Sequence, residues 1–132
     1  MQNLNYPGFK TLLQKYNSSG FQIIAFPSDQ FGAQAPCSSQ CERAYLFHKM
    51  SLPFGTFPVF DKANVDGPGS VEPFVVAKDQ AKGHDTGFDI SWNYEKFVAD
   101  ADGKPIGRFA SDADPLAAEP LIRKLLGLPK LA

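Results

Sequence analysis

Residues 5–27, NYPGFKTLLQKYNSSGFQIIAFP, decide the fold. Phe9, Leu12, Leu13 and Tyr16 recur at the spacing of one helix face, and Gly20 is a good terminator. Asn5 is a candidate N-cap, with Pro7 near the first turn, where a missing N–H costs no intrahelical bond. Residues 21–26, FQIIAF, follow at once; they form a short apolar run rich in strand formers and closed by Pro27. Helix, glycine and buried strand in that order make the second half of a βαβ unit. The first strand of that unit is not in the sequence.

Outward from this stretch, residues 29–36 read as a loop, and a helix is expected over about residues 39–49, where Ala44, Tyr45, Phe47 and His48 supply packed faces. Pro53-Phe54-Gly55 breaks it. Residues 57–62, FPVFDK, contain a proline and so predict an edge strand or an extended segment. Asp66-Gly67-Pro68-Gly69 is a turn, and residues 71–78 predict a short helix. Residues 82–86 read as a polar loop. Residues 94–99 and 104–109 flank Asp100-Ala101-Asp102-Gly103, the clearest hairpin signal in the chain. Asp114 and Pro115 open a last helix by cap and N1 proline, whereas Pro120 predicts that this helix kinks or starts later. With no repeat and no linker, residues 1–132 read as one α/β domain.

The totals exclude several classes. Among 132 residues the formal net charge is -1, which gives no electrostatic reason to bind nucleic acid or an anionic membrane. No run of about 18 apolar residues offers a membrane span. Met1 to Tyr6 lack the basic start and apolar stretch of a signal peptide; the cytoplasm is the default compartment, and organelle targeting stays open because the N-terminus is expected to be missing. Cys37 and Cys41 are the only 2 cysteines, and their C-x-x-x-C spacing fits neither a paired zinc pattern nor a disulfide framework. No metal or resident cofactor is expected. His48 and His84 lack carboxylate or cysteine companions, and Asp100, Asp102, Asp112 and Asp114 read as turn and cap residues.

Three stretches are distinctive together: residues 25–36, AFPSDQFGAQAP; residues 57–62, FPVFDK; and residues 90–97, ISWNYEKF. In order and spacing they resemble the glutathione peroxidase family, whose patterns read approximately AFPCNQFGxQEP, FPVFDK and WNFxKF. Asn5-Tyr6 matches the NY that opens the family's first long helix. The resemblance runs from Asn5 to Leu126. It implies a thioredoxin-like fold and reduction of hydrogen peroxide or organic hydroperoxides, with glutathione or thioredoxin as the reducing co-substrate. It also implies a tetrad of a peroxidatic Cys or selenocysteine with a Gln, a Trp and an Asn. By motif these are Gln34, Trp92 and Asn93. Such neutral N–H donors suit the chemistry, because the chalcogen must be an anion to attack the O–O bond. Arg108 aligns with a basic position near the family's active face and is a candidate for the glutathione carboxylates. Cys37 and Cys41 read either as resolving thiols or as incidental thiols packed like small hydrophobes. Gln30 reads as a loop-holding residue. The absence of a long insertion between Gly69 and Trp92 resembles the monomeric, phospholipid-hydroperoxide type. The competing reading is a non-catalytic thioredoxin-like binding or scaffold protein.

Aligned on Asn5-Tyr6, the family's segment NVASxCGxT places the peroxidatic residue two positions before Met1, where neither Cys37 nor Cys41 can stand in. The N-terminal hairpin and the central first core strand are expected to lie upstream as well. Without that strand, residues 21–26 and the hairpin lose their shared partner, which predicts two open edges and a chain that is unstable or rearranged on its own. The positions that carry cysteines in plant-type members hold Ser28 and Phe47 here. Together these features suit a selenocysteine whose UGA codon was taken as a stop. An in-frame TGA in the upstream transcript is the expected finding, and a Cys codon or no peroxidase-like frame would refute it.

Overall fold

The computed structural model describes residues 1–81 and 87–132. The loop expected at residues 82–86, with His84, lies outside the described residues.

Helix α1 (Gln2–Tyr16) starts earlier than expected, with Met1 at its N-cap, so Asn5 lies inside the helix. Asn5 is fully buried, and its amide donates to the carbonyls of Met1 (3.0 Å) and Ser111 (3.1 Å). Its bonding capacity goes to a tertiary partner instead of a cap. Pro7 removes the donor that would meet the Asn3 carbonyl, and the exposure of Asn3 leaves that carbonyl to water. A 3-10 turn (Asn17–Ser19) and Gly20 at φ +101 end the helix as Gly20 predicted. α1 feeds two apolar clusters. Leu13 packs with Phe47, Met50, Phe57 and Val59, while Leu12 and Tyr16 pack with Ala118 and Ile122.

The strand expected at residues 21–26 is reduced to one parallel bridge, Ala25 to Val59. The cause lies in two prolines. Ala25 N–H donates to Pro58 O (3.0 Å) and Phe60 N–H to Ala25 O (2.8 Å). Extending this ladder needs a Pro58 N–H in one direction and a Pro27 N–H in the other, and neither exists. Ile24, at 57% exposure, is left on the surface.

Helix α2 (Ser39–Met50) is capped by Ser38, whose hydroxyl accepts from Cys41 N–H (3.2 Å), and it ends on Ser51 at φ +53. Helix α3 (Glu72–Gln80) buries Lys78, whose ammonium is satisfied by Val65 O (2.6 Å) and Asp66 (2.8 Å). Strands β1 (Lys96–Ala99) and β2 (Pro105–Phe109) form the expected antiparallel hairpin, with a register shift between Val98 and Ala99. Asp100 accepts from Asp102 and Lys104 N–H across the turn, and Gly103 takes φ +80. Among the described residues the sheet has these 2 strands only, so the hairpin and the Ala25–Val59 bridge share no pairing.

Asp114 caps a 3-10 turn (Pro115–Ala118), and helix α4 (Glu119–Leu125) begins after it with Pro120 in its first turn. The last helix therefore starts later and does not kink. At Gly8 of α1 an added Cβ would lie 2.8 Å from Pro115, which shows how closely that turn docks on α1. Glu119 ties α4 to α1. It accepts from Lys15 (2.6 Å) and from the Tyr16 hydroxyl, which in turn accepts from Arg123 (3.0 Å). The Lys15 hydrogen bond, then that of Tyr16, holds the Glu119 carboxyl below the usual carboxylate range.

A carboxyl depressed in this way contributes stability above its unfolded value, about 4.3, and loses it as pH falls through the folded value. Glu119→Gln is expected to lower stability by about 1 kcal/mol at neutral pH and to flatten the acid limb of the stability curve. Urea titrations at several pH values check this. An unchanged acid limb would show that the tie contributes nothing.

Candidate active site

The loop between Pro27 and α2 is built around Gln30. Its side-chain carbonyl accepts from Val65 (2.7 Å) and Asp66 (3.1 Å) N–H, and its NH2 donates to Asp66 O (2.9 Å). Gln30 thus holds the loop, as the sequence suggested. Asp29 closes the far side by accepting from Ala35 N–H (3.0 Å). Between these anchors Gly32 and Ala33 both take positive φ, +66 and +49. That tight reversal buries Phe31 with Val65 and Ile90 and returns Gln34 to the exposed side.

Trp92 and Asn93 reach the same loop from the segment before β1. The Asn93 NH2 donates to Phe31 O (3.3 Å) and to the Gln34 side-chain carbonyl (3.1 Å). The Trp92 ring lies over the reversal, 6.2 Å from the Phe31 ring, and an added Cβ on Gly32 would meet it at 3.0 Å. Gly32 is therefore required twice, by its backbone and by the indole above it. Trp92 keeps 37% of its surface exposed. The structure brings the three motif residues Gln34, Trp92 and Asn93 together although they come from segments about 60 residues apart. With its carbonyl engaged by Asn93, Gln34 has its NH2 left for an anion.

Several supporting residues were not singled out in the sequence. Ser111 donates its hydroxyl to Trp92 O (3.1 Å), and its own carbonyl accepts from Asn5. Lys96 donates to Asn5 Oδ1 (2.6 Å) and to Ala113 O (2.8 Å). Burial lowers the Lys96 ammonium to about 8, against the opposing pull of Asp112, Asp114 and Glu95. Tyr94, at φ +68, turns the chain into β1 and donates to the Tyr6 hydroxyl (3.0 Å). Burial pushes both phenols up. The Trp92–Asn93 pair is thereby tied to the first turns of α1. Asn5-Tyr6 and Lys96 lie within stretches that the sequence marked as distinctive, so their positions were visible but their roles were not.

Two expectations need correction. Arg108 does not face solvent: its side chain is wholly buried against Glu95 (2.9 Å) and donates to the carbonyls of Gly87, Phe88 and Asp89. A guanidinium so engaged fixes the segment before Trp92 and has no open face for a glutathione carboxylate. Cys37 and Cys41 are not separate thiols but a disulfide, so the chain has no free cysteine. Their positions just before and within the first turn of α2 bring the Cα atoms to 5.7 Å, inside the bridging range.

Because Trp92 is the only tryptophan, its fluorescence reports on this site alone. Gly32→Ala is expected to shift the emission maximum and to cost about 1–3 kcal/mol in stability. Emission and urea midpoint identical to those of the parent chain would show that the indole does not rest on Gly32.

The glutathione peroxidase family model matches residues 1–77. The chain is 39% identical over 126 residues to the probable phospholipid hydroperoxide glutathione peroxidase of Helianthus annuus, covering 96% of this chain and 68% of that protein. It is 35% identical over 128 residues to the probable phospholipid hydroperoxide glutathione peroxidase 6, mitochondrial, of Arabidopsis thaliana, covering 97% of this chain and 53% of that one. The crystal structure of T. cruzi GPX1 superposes with a TM-score of 0.70 at 26% identity, over 96% of this chain and 73% of that one. These likenesses bear out the thioredoxin-like α/β fold, and the chain belongs to the glutathione peroxidase family.

Proposed function

We propose that this chain carries the anion-stabilising part of a centre that reduces hydroperoxides at the expense of a thiol, glutathione or thioredoxin. The observation that carries this reading is the Asn93 amide, which holds Gln34 beside Trp92 at one end of a hydrogen-bonded path to the first turn of α1. By the family's motif, the nucleophile this scheme requires is a Cys or selenocysteine in the NVASxCGxT segment, a segment that the 132 residues do not contain. Its anion attacks one oxygen of the peroxide. The O–O bond breaks, the alkoxide takes a proton and leaves as alcohol or water, and the chalcogen becomes –OH. Two thiols then remove that oxygen as water and restore the anion, leaving one disulfide.

In this scheme Gln34, Trp92 and Asn93 act as neutral donors. They stabilise the chalcogen anion and the developing alkoxide without exchanging protons themselves. The N-terminus of α1 adds its dipole to the same task. The short sequence between Gly69 and Trp92, without the long insertion of the tetrameric members, suits a monomer that accepts bulky lipid hydroperoxides. Relatives named as mitochondrial and chloroplastic make an organelle as reasonable a destination as the cytoplasm.

Peroxide consumption with glutathione or thioredoxin is expected to stay at the thiol background for the 132 residues alone. It should rise when the upstream segment with its nucleophile is restored. In the restored protein, Asn93→Ala or Gln34→Ala is expected to reduce turnover about 10²-fold or more. Family-level turnover by the bare chain, or a restored enzyme indifferent to Asn93, would contradict the proposal.

A further inference from the structure

We propose that Cys37–Cys41 is a thiol–disulfide exchange site in its own right, opened by an external thiolate. It is independent of the hydroperoxide reading, because it needs no nucleophile beyond these two residues.

The bond closes a loop with a sequence separation of only 4, and short loops gain least from crosslinking. The turn it spans is already fixed by other bonds. Ser38 accepts from Cys41 N–H (3.2 Å) and from Glu42 N–H (2.9 Å), and Glu42 accepts from Cys37 N–H (3.0 Å). Lys62 donates to Cys37 O (3.0 Å) through its ammonium and to Ser39 Oγ (3.0 Å) through its backbone. These bonds do not involve sulfur and survive its reduction. The dithiol form therefore keeps the same turn, which is what a reversible couple requires.

Access and charge set a direction. Cys41 is exposed on α2 and Cys37 is half-buried. An incoming thiolate attacks the Cys41 sulfur, the S–S bond breaks, and Cys37 leaves as a thiolate. That leaving group sits just before the N-terminus of a 12-residue helix; the helix end and the Lys62 ammonium, 3.0 Å from the Cys37 carbonyl, favour the anion, and the Glu42 carboxylate, 3.0 Å from the Cys37 N–H, opposes it. A second thiolate takes the mixed disulfide apart. The balance is protein disulfide plus two thiols giving two protein thiols plus one external disulfide, and the reverse reaction reoxidises the pair. Exposed disulfides of this kind are the labile ones.

The test treats the folded chain with glutathione in one arm and thioredoxin in the other, quenching with an alkylating agent and locating adducts by mass spectrometry. Far-UV circular dichroism monitors the fold. Opening is expected about tenfold faster in the folded chain than in urea, with the first glutathione adduct on Cys41. Lys62→Met should remove most of that acceleration while leaving the dichroism unchanged. As a second probe, Cys37→Ser should hold a stable glutathione adduct on Cys41 when mixed with glutathione disulfide. Opening by glutathione alone assigns a small-thiol site and opening by thioredoxin alone a protein-dithiol site; either supports the proposal. Opening slower in the folded chain than in urea in both arms, or a first adduct on Cys37, would overturn it.

Discussion

The Asn5 side chain is the joint on which the arrangement depends. It is fully buried, and its amide satisfies Met1 O and Ser111 O while its carbonyl accepts the Lys96 ammonium. Three segments meet there: the first turn of α1, the start of β1, and the chain that leaves β2. Ser111 passes the constraint on to Trp92 through its hydroxyl. Removing the joint would take one acceptor from the half-buried Lys96 ammonium, leaving it Ala113 O and the longer contact to Ser111 O, and would take the closer donor from Ser111 O, a loss of about 1–3 kcal/mol. Lys96 already bears a burial cost, seen in its lowering to about 8. Such a hub is retained where geometry matters more than net stabilisation.

From that joint the site follows by short links. The Trp92 ring covers a glycine reversal that only Gly32 can make at that distance. The reversal exposes Gln34, and Asn93 then fastens Gln34 to the backbone at Phe31. Each polar group is held by something other than a prospective substrate, which is the condition for electrostatic stabilisation without reorganisation. The Arg108–Glu95 pair serves the same end from beneath, clamping the carbonyls of Gly87, Phe88 and Asp89 just before the Trp92 segment.

Much of this was legible in the residues. Periodicity gave α1 and the place of α2, although of Ala44, Tyr45, Phe47 and His48 only Phe47 is buried. Turn chemistry gave the hairpin at Asp100–Gly103. Of the two readings that Pro120 allowed, a kink or a later start, the last helix takes the later start. The run at residues 21–26 shows the limit of local reading: its composition is that of a strand, but its partner's Pro58 and its own Pro27 withhold the donors a ladder needs. Asn5 illustrates the same limit, since a cap and a tertiary hub use the same side-chain atoms. Gln34, Trp92 and Asn93 carry no periodic signal and were found through motif resemblance alone. The Arg108 assignment failed because alignment gives a position but not a burial. The Cys37–Cys41 pairing was missed because C-x-x-x-C spacing alone does not reveal that one cysteine precedes the helix while the other lies in its first turn.

The central claim is that one buried amide in α1 positions Trp92 and Asn93 over the Gln34 loop. Nuclear Overhauser contacts of the Asn93 side-chain NH2 in the folded chain test it most directly. The account predicts contacts from that NH2 to Gln34 and to Phe31, and their loss in Asn5→Ala while the β1–β2 hairpin contacts persist. Absence of those contacts in the parent chain, or their survival unchanged in Asn5→Ala, would contradict it.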